Sequence, residues 1–126
     1  MEKQIRGAGI CLAIVILVVQ VNSGQVRWFD QYSNVTNREE KLHLDNFAYY
    51  LLKDSSLLGY IAFSAGKNEK ASVVRKRAER GRQYLAREFR ISRDRIRLIY
   101  LGKADETTFI LQPVARDKPF PKIDNP

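Results

Sequence analysis

Between Lys67 and Arg97 twelve lysines and arginines are opposed by Glu69, Glu79, Glu88 and Asp94, a block of net +8 that equals the formal charge of the whole 126-residue chain. The chemistry such a block can do is anion recognition. Guanidinium forks match carboxylates and phosphates two donors at a time, and a concentrated positive field draws anionic partners to one element before any other. The apolar residues Ala71, Val74, Ala78, Gly81, Leu85 and Phe89 recur every three or four positions through the block, which predicts a helix from about 68 to 89. On that helix Lys76, Arg80 and Arg87 point away from the apolar stripe and form a basic outer surface. Arg77 and Tyr84 sit at one edge, where a side chain can reach over a sheet to a ligand.

Residue types suited to other chemistry are scarce. His43 is the one histidine and Cys11 the one cysteine, so neither a metal site nor a nucleophile–histidine pair has residues to build on. Glu39-Glu40 reads as a helix start that complements the dipole, not as an acid/base pair. The expectation is no catalytic residue, no metal, no cofactor and no enzyme activity. Gly66-Lys67, at the exit of a strand, offers an amide and an ammonium that could form an anion nest or a plain turn.

The elements that must position these residues follow from changes of period. Val26 to Tyr32 predicts a short strand. Thr36 with Glu39 forms a capping box, which also accounts for the Asn34-Val35-Thr36 sequon, and Leu44, Phe47, Ala48, Leu51 and Leu52 give the following helix one buried face. Leu57 to Ala65 reads as a buried strand, Arg95 to Leu101 as another, and Thr107 to Val114 as the last, entered through a Gly102-Lys103-Ala104-Asp105 turn. Gly81, which costs its helix about 1 kcal/mol against alanine, predicts a close approach to the sheet. The order β-α-β-α-β-β implies an α+β, two-layer sandwich with two helices on one face of a small mixed sheet. Residues 115–126, with three of the four prolines, read as an extended tail, with a disordered end as its plainer role.

The first 24 residues bear on compartment. Lys3 and Arg6 precede an apolar run over residues 8–19, too short for a bilayer core of about 30 Å, and small residues follow near Ser23. This pattern predicts a cleaved signal peptide, residues 1–24, ahead of one domain over residues 25–114, with no membrane span after cleavage. Export without disulfides suits the periplasm or envelope of a bacterium.

The run Arg77-Ala78-Glu79-Arg80-Gly81-Arg82-Gln83-Tyr84-Leu85, then Ile91-Ser92-Arg93-Asp94-Arg95-Ile96, resembles the peptidoglycan-associating domain of OmpA-like proteins. That domain carries an R-A-x-x-V-x-x-Y-L helix and a G-I-x-x-x-R-I step. The segments Phe29-Asp30-Gln31-Tyr32, Leu44-Asp45-Asn46-Phe47-Ala48 and Gly59-Tyr60-Ile61 are also similar to those of short exported bacterial proteins of unassigned function. The resemblance implies an OmpA-like fold and a site for the diaminopimelate of peptidoglycan, held by an arginine matching Arg77 and by an aspartate just after the second strand. Ser64-Ala65-Gly66-Lys67 stands where that aspartate would be, so the site is degenerate, with Arg77, Gly66, Lys67 and Tyr84 as its candidate residues. Arg77 has a plainer reading as a helix-edge residue that pairs with Glu88 or covers Tyr84.

The function expected is therefore an exported, non-enzymatic envelope protein that associates with peptidoglycan or an envelope partner. The alternative is a basic adhesion module for anionic surfaces such as lipid headgroups, cell-surface phosphates or extracellular nucleic acid. Specific nucleic-acid recognition is not expected, because aromatic residues are not interleaved with the basic ones.

Overall fold

A computed structural model describes residues 27–122. The signal segment 1–24 and Val26 lie outside the described residues, as do the last four. The elements in chain order are β1 (Asp30–Tyr32), α1 (Asn37–Lys53), β2 (Leu57–Ala65), α2 (Ala71–Phe89), a 3-10 turn (Arg93–Arg95), β3 (Ile96–Lys103) and β4 (Thr108–Ala115). They form an α+β fold with both helices on one side of a four-stranded mixed sheet of order β1-β4-β2-β3. β4 is antiparallel to both β1 and β2, and β2 is parallel to β3, so the three strands that precede or follow a helix share a direction.

The core lies between sheet and helices. Gly59, Ile61, Phe63 and Ala65 face the helix layer, where Leu44, Phe47, Ala48 and Leu51 of α1 and Val74, Ala78, Gly81 and Leu85 of α2 are buried. Leu52, expected in the α1 face, is half exposed, because the buried arc already closes over Leu44, Phe47, Ala48 and Leu51. The capping box forms as expected: the Thr36 hydroxyl accepts the Glu39 amide while the Glu39 carboxylate accepts the Thr36 amide. At the other end of α1 the half-buried Arg95 guanidinium donates to the carbonyls of Leu51 (2.9 Å), Asp54 (3.0 Å) and Leu57 (2.9 Å), tying the helix end to the start of β2. Leu44 lies against Gly81, Asp45 meets Tyr84 and Tyr49 meets Phe89, so α1 and α2 run side by side in the same direction.

Other expectations change as well. β1 is three residues long rather than seven, and Val26 is outside the described residues. The β1–β4 register that pairs Asp30 with Leu111 would place Trp28 opposite Pro113, which has no N–H to give. The Phe29 amide turns instead to the Gln112 side chain at 2.9 Å. α2 starts at Ala71 rather than 68, because residues 66–69 are held as a turn by the Glu69 amide donating to the Gly66 carbonyl (3.1 Å). The extended tail packs on the sheet face opposite the helices through Phe120. There Phe120 stacks on Trp28 (5.4 Å) and meets Tyr60 (5.1 Å) near Leu58, Ala62, Ile110 and Val114, which are buried. β3 carries a bulge at Leu101–Gly102. Gly102 takes φ +101°, a conformation that favours glycine, and the extra residue brings Lys103 opposite Ala65.

Gly81 does not mark a close approach. A Cβ there would meet Ile61 and Leu44 methyls at 3.6–3.7 Å, ordinary contact, whereas one at Gly59 would stand 2.6 Å from the Leu51 Cδ1 and 3.0 Å from the Phe47 ring. Gly81→Ala is therefore expected to stabilise the fold by about 0.5–1 kcal/mol, raising the melting temperature by about 2–8 °C. Gly59→Ala is expected to destabilise it by about 1–3 kcal/mol through overpacking. Thermal unfolding of the two variants beside the native chain checks both signs.

Candidate functional site

The ends of β2 and β3, the start of β4, the N-terminal end of α2 and the loop after β1 meet at one end of the sheet. The connection runs through Thr107, 1% exposed and the buried polar side chain of the described residues. Its hydroxyl oxygen accepts the Gly66 amide at 2.9 Å and its proton goes to Glu69 Oε1. A Cβ on Gly66 would lie 2.8 Å from the Thr107 nitrogen, so the approach that makes this bond requires glycine. Lys103, placed by the bulge, donates to the Gly66 carbonyl (3.3 Å) and to the Glu69 carbonyl. The loop between β2 and α2 is thereby pinned at both faces, and the Glu69 carboxylate is aimed inward.

Arg77 meets that carboxylate. Its Nη1 lies 3.7 Å from Glu69 Oε2 and donates to Asn34 Oδ1 at 2.7 Å, while the guanidinium lies 4.8 Å from the centre of the Phe109 ring. Asn34 Nδ2 in turn donates to Glu69 Oε1 at 3.3 Å. The two charged side chains remain open to solvent, 17% for Arg77 and 31% for Glu69. The Thr107 hydroxyl, then the Asn34 amide, and then the charges of Arg77 and Lys103 hold the Glu69 carboxyl below its ordinary value. A guanidinium has five N–H donors. Among the described residues Arg77 places a hydrogen bond on Asn34, which leaves donors to accept a bidentate anion.

Of Arg77, Gly66, Lys67 and Tyr84, the candidate residues of one site, Gly66 joins Arg77 through Thr107 and Glu69, while Lys67 and Tyr84 lie apart from that network. Arg77 contacts neither Glu88 nor Tyr84 in the way the plainer reading had it; it reaches Glu69, Asn34 and Phe109. The Gly66 amide and carbonyl are both engaged within the fold, and Lys67 extends to Asp105 at 3.4 Å on the exposed surface, so the pair forms a clamped turn rather than an anion nest. The Tyr84 hydroxyl donates to Asp45 Oδ1 at 2.6 Å, and that bond, with desolvation and the charge of Asp45, pushes its pKa up to about 12. Tyr84, Lys41, Arg80 and Gly81 line a cleft of ≈ 290 Å³ between the helices. Lys76, Arg80 and Arg87 are exposed, as the helical spacing predicts.

His43 Nδ1 lies 2.6 Å from Asp30 Oδ2, its ring stacked on Tyr32, whose hydroxyl donates to Glu40 at 3.0 Å. Burial first, then Glu40, pushes the Tyr32 phenol far above its ordinary value. Among the described residues no three His, Cys, Asp or Glu side chains converge as metal ligands would.

Sequence reasoning missed Glu69, Asn34, Thr107 and Lys103. Glu69 falls at the expected start of α2, and its signal is its place three residues after Gly66, in the loop where the OmpA-like resemblance implies a carboxylate. The chain matches no family model and no curated protein.

Two outcomes test this geometry. Thr107→Val leaves the buried Gly66 amide without an acceptor and is expected to cost about 1–3 kcal/mol, measured by denaturant unfolding. A carboxyl depressed in the folded state stabilises above its unfolded pKa, about 4.3, and that contribution is lost as pH falls through the lower native value. The gap in melting temperature between the native chain and Glu69→Gln should accordingly be full near neutral pH and close below about pH 4. A gap that does not change on acidification would contradict the assigned role of Glu69.

Proposed function

We propose that this chain is an exported, non-enzymatic protein of the bacterial cell envelope that associates with peptidoglycan through Arg77 and Glu69. The reading joins the signal-like segment at residues 1–24 and the resemblance of the α2 run to the OmpA-like peptidoglycan-associating domain. The observation that carries it is the approach of the Glu69 carboxylate to within 3.7 Å of a partly exposed Arg77. A zwitterion such as the free end of diaminopimelate needs an arginine for its carboxylate and a carboxylate for its ammonium. The resemblance supplies the first in Arg77 and lacks the aspartate for the second. Glu69, from the same loop, offers the missing charge.

On this reading Phe109 and Asn34 orient the guanidinium, Thr107 and Lys103 orient the loop that bears Glu69, and the zwitterion enters between the two charges. Binding depends on two particular side chains, so it should survive screening of the general positive field. The test is co-sedimentation of the purified chain with peptidoglycan sacculi. At about 1 M salt, where charges beyond ~3 Å are screened, the native chain should be retained, Arg77→Ala and Glu69→Gln should be released, and a Lys76→Gln/Arg80→Gln/Arg87→Gln variant should behave as the native chain does. Absence of retention, or retention that salt removes equally from all four proteins, would refute the proposal.

A further inference from the structure

We infer that the outer surface of the helix layer docks on an anionic lipid bilayer. α1 and α2 lie side by side and point the same way, and each carries one half of an interfacial surface. Along α1, Leu42 (59% exposed), Tyr49 (58%) and Leu52 (50%) stand in solvent with no element of the described chain above them. Along α2, Lys76, Arg80 and Arg87 project outward and form no ion pair among the described residues. The two helices touch beneath these ridges: the Tyr49 ring meets Phe89 edge-on at 5.5 Å, and Lys41 lies 5.8 Å from the centre of the Tyr84 ring. Between them opens the ≈ 290 Å³ cleft, with Lys41 and Arg80 on opposite walls.

Charge complementarity selects the occupant. A surface of separated apolar side chains flanked by long cationic ones suits a medium that is anionic at the headgroups and apolar just beneath. Lysine and arginine stems reach up to phosphates while leucine and tyrosine enter the acyl boundary. The cleft has room for a lipid phosphate between Lys41 and Arg80. The carboxylate that also lines it, Glu40, is engaged by the Tyr32 hydroxyl at 3.0 Å. Glu79 and Glu88 share α2 with the cations and reduce the field without cancelling it. This surface uses none of the residues proposed to hold peptidoglycan, so either can fail without the other.

The test is co-flotation of the full chain with vesicles of phosphatidylcholine and of phosphatidylcholine mixed with phosphatidylglycerol. The read quantity is the ratio of binding to the two, because the apolar run at residues 8–19 affects both vesicle types and every variant alike. The native chain should favour the anionic vesicles. Lys76→Gln/Arg80→Gln/Arg87→Gln should lower that preference about a hundredfold, at roughly 1 kcal/mol for each cation near the surface. Leu42→Ser/Tyr49→Ser should lower binding to anionic vesicles about tenfold. Circular dichroism on each variant confirms that it is folded. A native chain with no preference for anionic vesicles would overturn the inference, and so would full binding by the Leu42→Ser/Tyr49→Ser variant. Self-association in sedimentation velocity that the same double variant abolishes would also overturn it, by assigning the apolar ridge to a second copy.

Discussion

One buried hydroxyl fixes the end of the sheet that carries the Arg77–Glu69 pair. Thr107 stands just before β4 and accepts the amide of Gly66, just after β2, while its proton goes to Glu69. A buried hydroxyl with both its donor and acceptor capacity used is a rigid joint, since either bond left unmade would cost the full desolvation of its partner. It locks together two loops far apart in sequence and turns the Glu69 carboxylate toward Arg77. Lys103 closes the other side of the same loop, and it can do so because the bulge at Gly102 shifts the β3 register by one residue. The position of the charged pair thus follows from backbone geometry at three strand ends.

The sheet around that joint has a division of labour. β4, inserted antiparallel between β1 and β2, pairs with both and brings Phe109 beneath Arg77. The helix-facing side of the sheet holds the core, and the opposite side is covered by Trp28 and the returning tail at Phe120. The helices then have one face for the core and one for solvent. On α2 that outward face concentrates the chain's excess positive charge, and on α1 it bears exposed Leu42 and Tyr49. The Arg77–Glu69 pair at the sheet end and the basic outer face of the helix layer are separate in space, so the two proposed contacts use different physics.

Most of the architecture was legible because it is written in short periods. The apolar spacing of α2, the Thr36–Glu39 capping box and the dense β2 run depend on residues within a few positions of one another, and each formed as expected. What escaped depends on partners distant in sequence. β1 is cut short by Pro113 and by the Gln112 side chain, more than eighty residues away. The tail is held at Phe120 by Trp28 and Tyr60, both distant in sequence. Arg90 ends α2 in the left-handed conformation without the glycine that would have signalled it. At the site, Arg77 was legible from its place on the helix edge, but Glu69 was not. A carboxylate at a predicted helix start looks like ordinary dipole compensation, and only the Thr107 and Lys103 bonds turn it inward.

As proposed above, Arg77 and Glu69 act jointly on a zwitterionic group. The most direct test of that joint action is titration calorimetry of the chain with a soluble peptidoglycan stem peptide ending in diaminopimelate, beside the same peptide with that terminal ammonium acetylated. Joint action requires binding of the free peptide by the native chain, loss of it on acetylation, and a Glu69→Gln variant that no longer distinguishes the two peptides. Equal binding of both peptides by the native chain, or binding of neither, would contradict it.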